Sequence, residues 1–430
     1  MSATAPRPAV APRCAIPDTP LARALPGIDN CVHCGFCLQA CPTYLATGDE
    51  NDSPRGRIVL MRSLVEGDLP LDDPSVGTHI DRCLGCRACE NACPSGVPYG
   101  HLLEATRATL ATRRPLPRLA RLILAVFERP ALLAVALAGA RLLRASGIPR
   151  LLSRLQGRLG FAFAMLQATE RPVSRGSYDA SGSGARGRVA VLEGCVMKGL
   201  FAETNRATAR VLTANDFTVV PVEGQGCCGA LHAHAGDPEG ARALARRNIA
   251  AFERSTVDFV AINASGCGAM IKEYGHLLAD DPAWGERAAR IAARARDVSE
   301  LLALAGPKRG GALDYSVTYD APCHLQHAQR VTAPPLAVLA AIPGLRFTPL
   351  ADADQCCGSA GIYNLIEPDM SDAVLEPKLA RIAESGAGLV ATGNPGCLMQ
   401  IGAGLAQRGG RARVVHPVDL LDASYGARTS

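Results

Sequence analysis

The stretch Cys31-Val-His-Cys34-Gly-Phe-Cys37-Leu-Gln-Ala-Cys41-Pro42 decides the fold of the N-terminal part of the chain. It is repeated as Cys83-Leu-Gly-Cys86-Arg-Ala-Cys89-Glu-Asn-Ala-Cys93-Pro94. Both stretches read C-x2-C-x2-C-x3-C-P, a spacing in which three thiolates face one [4Fe-4S] cube and the fourth cysteine ligates the other cube. The sequence therefore predicts two cubes, the first held by Cys31, Cys34, Cys37 and Cys93 and the second by Cys83, Cys86, Cys89 and Cys41.

Structural zinc is the alternative for these thiolates. Zinc sites usually use two C-x2-C pairs separated by a longer loop, whereas two matching runs of four cysteines favour iron and sulfide. Gly35 and Gly85 fit a backbone that wraps tightly around a cluster. His33 lies within the first run and is interpreted as a bystander that tunes polarity.

A helix is predicted between the two runs. Ser53 can cap it, Pro54 suits its first position, and Gly67 ends it. This arrangement resembles the α-helical ferredoxin domain of the iron-sulfur subunits of succinate dehydrogenases, and the resemblance implies the same fold for residues 1–110.

Length and composition limit the class of protein. A chain of 430 residues with 48% hydrophobic residues can form two or three domains, and its 17 cysteines are clustered, which indicates metal or redox chemistry before disulfides. Residues 1–20 lack the apolar run of a secretory signal, so the cytoplasm is expected. A net charge of +5 without a basic run interleaved with aromatics argues against a nucleic-acid partner.

The region 119–148 is apolar, but its longest uncharged stretch runs only from Pro130 to Ala140. A bilayer needs about 20 apolar residues, so no membrane-spanning helix is predicted. Residues 101–112 and 116–170 are expected to be helical, and a linker ends near residue 187. The favoured interpretation is a buried helical connector. Peripheral contact with a membrane or a partner is the alternative, through arginines on polar helix faces, Arg118, Arg121, Arg141 and Arg144.

The C-terminal part contains an internal repeat of cysteines. Cys195, Cys227-Cys228 and Cys267 recur as Cys323, Cys356-Cys357 and Cys397. An apolar run of β type precedes each element and helical stretches fill the gaps, which predicts two small parallel α/β units with these cysteines at the carboxyl ends of the strands. The eight cysteines are candidate metal or cluster ligands; thiol chemistry and simple burial are the alternatives.

The fold class is therefore multi-domain. We expect an α-helical ferredoxin domain over residues 1–110, a helical connector and linker over 111–187, and two repeated α/β modules over 188–308 and 309–430. Four histidines near the cysteines are interpreted as loop residues without an assigned role, namely His232, His234, His324 and His327.

The repeated modules resemble the CCG, or cysteine-rich, domain shared by heterodisulfide reductases, anaerobic glycerol-3-phosphate dehydrogenase, thiol-linked fumarate reductases and glycolate oxidase. In heterodisulfide reductase the downstream element is C-x2-C and helps to bind a non-cubane cluster. Where that element has its second cysteine, this chain has Met270 in the first module and Gln400 in the second. The missing cysteines argue against disulfide reduction.

Nearly the whole chain resembles the iron-sulfur subunit family of bacterial glycolate oxidases. The resemblance rests on the two cysteine runs, on the segment SPRGRI at residues 53–58, and on the module endings SGC at residues 265–267 and NPGC at residues 394–397. The resemblance implies an electron-transfer subunit without catalytic residues, whose partner subunits carry FAD and oxidise glycolate to glyoxylate. An acceptor such as a quinone, met by the repeated modules, is a hypothesis that rests on the strand-end cysteines and the arginine-bearing apolar helices. No glycine-rich dinucleotide fingerprint is present here. The chain is expected in the cytoplasm, and peripheral contact with the cytoplasmic face of the inner membrane is a hypothesis that rests on the arginine-bearing apolar helices. The alternatives are the corresponding subunit of anaerobic glycerol-3-phosphate dehydrogenase, a heterodisulfide-reductase-like oxidoreductase and a structural metal protein.

Overall fold

The computed structural model describes residues 14–174, 176–304 and 306–427. No secretory signal is predicted in residues 1–20, and residues 1–13 of that segment lie outside the described residues. The N-terminal part is helical: α1 (Pro20–Arg23), α2 (Leu25–Asp29), α3 (Pro42–Thr47), α4 (Pro54–Glu66), α5 (Pro74–Asp81), α6 (Ala88–Asn91) and α7 (Tyr99–Ala111).

Helix α4 begins and ends where the sequence predicts. The Ser53 side chain accepts a hydrogen bond from the Gly56 N–H at 2.9 Å, and Gly67 closes the helix with a φ of 85°. A short 3-10 turn, Glu50–Asp52, precedes the cap. Its Glu50 carbonyl oxygen would lie 2.0 Å from a Cβ at position 56, so only glycine allows this turn to pack against the helix.

The connector consists of helices, as predicted: α8 (Arg118–Glu128), α9 (Pro130–Ala145), α10 (Ile148–Leu152) and α11 (Gly157–Gln167). The prediction that it is buried is wrong for α9, which has no buried residue. Among the described residues no single helix is long and apolar enough to cross a bilayer. Helices α8 and α9 meet that test of length and composition only together, and they bend by 105°.

The first α/β unit is a four-stranded parallel sheet in the order β2-β1-β3-β4. Its strands are β1 (Arg188–Val191), β2 (Thr218–Val220), β3 (Phe259–Ile262) and β4 (Ala295–Asp297). Its helices are α12 (Val196–Leu200), α13 (Ala202–Ala214), α14 (Ala230–Ala235), α15 (Pro238–Glu253), α16 (Ser265–Lys272), α17 (Tyr274–Leu277), α18 (Gly285–Arg294) and α19 (Val298–Ala303).

The second unit repeats this topology, with the sheet order β6-β5-β7-β8. Its strands are β5 (Ser316–Tyr319), β6 (Arg346–Phe347), β7 (Leu389–Ala391) and β8 (Arg413–Val415). A π-helical turn, His324–Ala328, follows β5. The helices are α20 (Ala333–Ala340), α21 (Tyr363–Ile366), α22 (Pro368–Ser385), α23 (Pro395–Gln407) and α24 (Pro417–Gly426). The predicted parallel α/β repeat is confirmed, whereas the domain boundaries at 110, 187 and 308 stay a prediction.

The two units share one hydrophobic core. Val189 and Val211 of the first unit belong to the same buried cluster as Val317, Leu389 and Leu420 of the second. The last helix of each unit packs on a helix of the other, α19 on α20 and α24 on α13. This reciprocal packing fixes the two sheets relative to each other.

An ion network on α24 reinforces this packing. The buried carboxylate of Asp422 accepts two hydrogen bonds from Arg210 of α13, at 2.7 and 2.9 Å, and one from Arg171 at 3.0 Å. Tyr178 donates a fourth at 2.8 Å. Although burial raises the pKa of Asp422, these donors lower it below its usual value overall.

We expect Asp422→Asn to lower the free energy of unfolding by about 2 kcal/mol, because it removes the buried carboxylate that is the counterion of the partly buried Arg210 and Arg171. The matched control is Asp372→Asn, whose exposed pair with Arg408 should contribute under about 1 kcal/mol. Since the folded pKa of Asp422 is depressed, its contribution is present above the unfolded pKa of about 4 and is lost as pH falls through the folded value. Denaturant titrations of both variants across pH measure this, and equal losses would contradict it.

Candidate metal centres

The first cysteine run wraps around a small cavity. Cys31, Cys34, Cys37 and, from the second run, Cys93 line this cavity. The loop turns through left-handed conformations at His33, with a φ of 54°, and at Gly35, with a φ of 86°. The role predicted for Gly35 in tight wrapping agrees with this geometry. Cys34 is exposed, so this cavity lies at the protein surface.

The second run forms a separate, buried cavity. It is lined by Cys83, Cys86 and Cys89 together with Cys41 from the first run. Gly85 adopts a φ of 62°, as tight wrapping requires. Cys89 also lines the first cavity, so the two sets of thiols adjoin each other. The fourth cysteine of each run thus lies with the first three of the other.

A buried charge network borders the second cavity. The fully buried Arg57 guanidinium donates to Thr43 Oγ1 at 3.1 Å, and its Nη1 lies 3.9 Å from Cys41 Sγ. Its Nη2 lies 3.4 Å from Asp52 Oδ1. Tyr99 donates its hydroxyl to Cys83 Sγ at 3.6 Å. The two thiols therefore sit beside hydrogen-bond donors and a fixed positive charge.

Asp52 is the counterion of this network. Its carboxylate also contacts His79 Nδ1 at 2.9 Å and Arg82 Nη1 at 3.0 Å. Asp49, Asp52 and His79 are close enough to form a cation site by distance. Because the Asp52 oxygens are already engaged by two arginines, we interpret the group as an ion network. The sequence analysis assigned no role to these residues. The only signal in the sequence was Arg57, a charged residue between Gly56 and Ile58 on an otherwise apolar face of α4.

In the first α/β unit, the cysteines that follow three strands converge. Cys195, Cys227, Cys228 and Cys267 line the same cavity, where the thiol of Cys195 neighbours that of Cys227 and the thiol of Cys228 neighbours those of Cys227 and Cys267. The neighbouring thiols raise the pKa of Cys195 and Cys228 and lower that of Cys227.

The second unit repeats the arrangement. The thiol of Cys356 neighbours those of Cys323 and Cys357, and the thiol of Cys397 neighbours that of Cys357. The pKa of Cys357 is lowered by its thiol neighbours, while those of Cys356 and Cys397 are raised. Asn394 donates to Cys397 Sγ at 3.5 Å. Each unit therefore presents four thiols at the carboxyl edge of its sheet.

Met270 and Gln400 stand where a fifth cysteine would lie in each unit, and both side chains pack inside the protein. Met270 lies in the apolar core of the first unit. Gln400 is buried, accepts from Asn364 at 2.8 Å and donates to Ser371 at 2.9 Å. These side chains have structural partners, so each unit offers four thiols and no fifth.

Both four-thiol sets line one cavity of about 600 Å³. Its wall is mainly apolar and includes Ala120, Ile123 and Phe127 of α8. His234 and His324, which sequence reasoning left without a role, also line it, with ring centroids 5.3 Å apart. Burial lowers the pKa of His324 to about 4, and its Nε2 lies 3.0 Å from the Gly85 carbonyl oxygen.

The buried N-terminal thiols adjoin this larger cavity. Cys86 packs in one apolar cluster with Cys356, beside Cys323. Cys83 and Leu84 also contribute to the cavity wall. The cysteines therefore form a continuous series from the exposed Cys34, through the two small cavities, to the cavity between the α/β units.

The donor sets fit iron-sulfur clusters. Burial raises the pKa of Cys37 to about 11 and those of Cys86 and Cys89 well above the usual thiol value. Four thiolates crowded around one cavity repel each other unless a cation offsets their charge, and soft metals supply that charge.

The comparisons with known proteins agree with this geometry. The family described as a 4Fe-4S dicluster domain matches residues 27–97, and the family described as a cysteine-rich domain matches residues 189–272 and 317–402. The N-terminal part is thus a 4Fe-4S domain, and the two α/β units are cysteine-rich (CCG) domains.

Full-length relatives extend the match over nearly the whole chain. The probable glycolate oxidase iron-sulfur subunit of Bacillus subtilis (strain 168) is 39% identical over 428 residues, which cover 93% of this chain and 95% of the relative. The glycolate oxidase iron-sulfur subunit of Escherichia coli (strain K12) is 35% identical over 409 residues, with coverages of 91% and 93%. Lactate utilization protein A of Shouchella clausii (strain KSM-K16) is 30% identical over 230 residues, which cover 53% of this chain and 95% of that protein. The chain belongs to the family of glycolate oxidase iron-sulfur subunits.

Proposed function

We propose that this chain is the electron-transfer subunit of a glycolate oxidase complex. In this proposal partner subunits that carry FAD oxidise glycolate to glyoxylate, and the chain conducts the electrons to a quinone. The continuous series of cysteines from the exposed Cys34 to the cavity between the CCG domains supports it most directly. No residue of this chain is assigned a role in glycolate oxidation itself.

The ligand sets follow the two small cavities. Cys31, Cys34, Cys37 and Cys93 hold one [4Fe-4S] cluster, and Cys41, Cys83, Cys86 and Cys89 hold the other. Such clusters accept and release one electron at a time, at potentials set by charge, hydrogen bonds to sulfur and exposure. Arg57 and Tyr99 supply a buried positive charge and a hydrogen-bond donor to the second set alone.

The flavin subunits are expected at the exposed end of the series. Val32 and Phe36 beside Cys34 are 67% and 66% exposed, which leaves an apolar surface over the first set of thiols. An electron donor must approach a cluster closely, and among the thiols that line the two small cavities Cys34 is the exposed one. The chain itself has no dinucleotide fingerprint, so FAD is assigned to the partners.

The acceptor is assigned to the other end. The cavity between the CCG domains is large enough for a quinone ring, and its mainly apolar wall suits a lipid-soluble molecule. The four-thiol sets that line it hold further clusters or metal ions in this proposal, with Cys195, Cys227, Cys228 and Cys267 in one domain and Cys323, Cys356, Cys357 and Cys397 in the other. Because a quinone resides in the bilayer, the chain is placed peripherally at the cytoplasmic face of the inner membrane.

Three alternatives predict different results. The same parts would serve an anaerobic glycerol-3-phosphate dehydrogenase or a heterodisulfide-reductase-like oxidoreductase, and a structural metal protein would hold zinc. The absence of a fifth cysteine at Met270 and Gln400 makes disulfide reduction the weakest of the three.

We expect the anaerobically purified chain, mixed with its flavin subunits, to show reduced-cluster signals by paramagnetic resonance when glycolate is added. Glycerol 3-phosphate should leave the clusters oxidised. A colourless chain that contains zinc would contradict the proposal, and so would reduction by glycerol 3-phosphate alone.

The ligand exchange between the runs is tested by single substitutions. Cys93→Ser should perturb or remove the cluster of Cys31, Cys34 and Cys37, and Cys41→Ser should do the same for the other cluster, each with a loss of up to about four of the chain's irons. Cys14→Ser is the control, since Cys14 lies outside both runs. Metal analysis and paramagnetic resonance measure this; if Cys93→Ser instead altered the cluster of Cys83, Cys86 and Cys89, the assignment would be wrong.

Arg57 should raise the reduction potential of the second cluster, because a buried positive charge stabilises the more negative reduced state. Arg57→Met is therefore expected to lower that potential by roughly 50–100 mV, as a unit charge in a medium of intermediate dielectric would. Arg57→Lys, which keeps the charge, should shift it much less, and Asp52→Asn should shift it upward. Redox titration followed by paramagnetic resonance measures the potentials. Equal shifts for the Met and Lys variants, or a downward shift for Asp52→Asn, would contradict an electrostatic role.

A further inference from the structure

The outer side of the connector is an unusually apolar surface. Nine of the sixteen large exposed apolar residues among the described parts of the chain lie between Leu119 and Leu159. Val135 and Leu142 of α9 are 72% and 73% exposed. We call this surface of α8, α9, α10 and α11 the connector face. Exposed apolar side chains concentrated in one segment indicate a site of contact with another molecule or with a membrane.

The same segment carries a concentrated positive charge. Residues 111–160 contain ten arginines and a single acidic residue, Glu128, while the rest of the chain contains 35 basic and 39 acidic residues. Nine of the ten arginines are exposed. Among the described residues, Arg118, Arg121 and Arg141 have no salt bridge to an acidic side chain. The connector face is therefore both apolar and cationic, whereas the remainder of the chain is slightly acidic.

This combination matches an anionic bilayer surface. Amphipathic helices with arginines beside leucines lie in the plane of the interface, with aliphatic side chains among the acyl chains and guanidinium groups at anionic headgroups. The bend of 105° between α8 and α9 is incompatible with one straight span. The exposed side chains of the face are aliphatic, whereas the centres of protein–protein interfaces are enriched in aromatic residues.

The connector face also lies next to the cavity between the CCG domains. On α8, Ala120, Ile123 and Phe127 line the cavity, while Leu119 and Leu122 are exposed on the outside. The cavity wall includes the exposed residues Arg114 and Pro117 at the start of α8, so it reaches the surface there. A molecule dissolved in the bilayer would meet the cavity beside this helix.

We infer that the connector face docks on a bilayer containing anionic phospholipid, with α8 and α9 lying in its interface, and thereby brings the cavity to the lipid phase. The inference rests on the proposed function for the identity of what enters the cavity. The docking itself depends only on the apolar and cationic side chains of residues 118–160.

The test is flotation of the full chain, purified with its clusters, on two kinds of vesicle. One contains phosphatidylcholine alone, and the other contains equal amounts of phosphatidylcholine and phosphatidylglycerol. We expect binding to the anionic vesicles, weakened by salt, and little binding to the neutral ones. Arg118→Gln and Arg121→Gln should each weaken binding about fivefold.

The apolar contribution has a matched control. The double variant Val135→Glu/Leu142→Glu should abolish flotation, whereas Leu304→Glu, at a residue 71% exposed on another part of the surface, should leave it unchanged. Unchanged cluster absorbance shows that a variant is folded. Failure of the native chain to float, or flotation that the double variant retains, would overturn the inference.

Two further outcomes would also overturn it. If the double variant loses self-association in sedimentation experiments but floats normally, the face binds a second copy. If it loses the flavin subunits but floats normally, the face belongs to that interface. Reduction of the clusters by glycolate is measured without vesicles, so failure of the proposed function is seen separately from failure to bind lipid.

Discussion

The candidate site depends on two parallel sheets whose carboxyl edges are held against each other. The Ser265 N–H donates to the Gly393 carbonyl oxygen at 3.1 Å, and the Gly266 N–H donates to Asn394 Oδ1 at 3.3 Å. The buried His416 accepts the Val418 N–H at Nδ1 and donates from Nε2 to the Asn263 carbonyl oxygen at 2.9 Å. Burial lowers the pKa of His416 to about 4, so the neutral ring that makes both bonds persists at neutral pH. These contacts join the ends of strands from different units, at the same carboxyl edges where the two thiol sets share a cavity.

Charge distinguishes the two N-terminal sets of thiols more than their spacing does. Arg55, near the first set, is partly exposed and pairs with Glu50, so solvent screens its charge. Arg57, two residues later, points into the protein and is fully buried beside Cys41. One helical turn of α4 thus gives two nearly identical cysteine runs different electrostatic surroundings. Because the reduction potential of a cluster responds to buried charge, two clusters held by like cysteine runs can differ in potential, and this difference gives electron transfer between them a direction.

Much of this organisation is predictable from the sequence because it is local or repeated. The cysteine runs and the first and last residues of α4 can be recognised from a few neighbouring residues. The offset between the two α/β units can be recognised by comparing the chain with itself. The shared cavity is different, since it arises from packing of α19 on α20 and α24 on α13, which no local pattern encodes. The exposure of α9 was also missed, because an apolar helix has the same composition whether it is buried in protein or faces outward. Arg57 was missed because helical periodicity places an arginine on the surface by default. Its burial is tolerable because the His79 carbonyl oxygen, the Thr43 hydroxyl and the Asp52 carboxylate accept its hydrogen bonds and offset its charge.

The two ends of the cysteine series have surroundings suited to different partners. At one end Cys34 is exposed on a short loop between Val32 and Phe36, where a protein can approach the thiols directly. At the other end, eight thiols line a mainly apolar cavity of about 600 Å³, whose size and lining suit a small lipid-soluble molecule. The buried set with Cys86 lies between them and is shielded from solvent by Leu84, Tyr363 and the neighbouring apolar cluster. In the proposed function, the chain accepts electrons from a protein at the exposed end and releases them to a small molecule in the cavity, and the set with Cys83, which also reaches the cavity wall, connects the two ends.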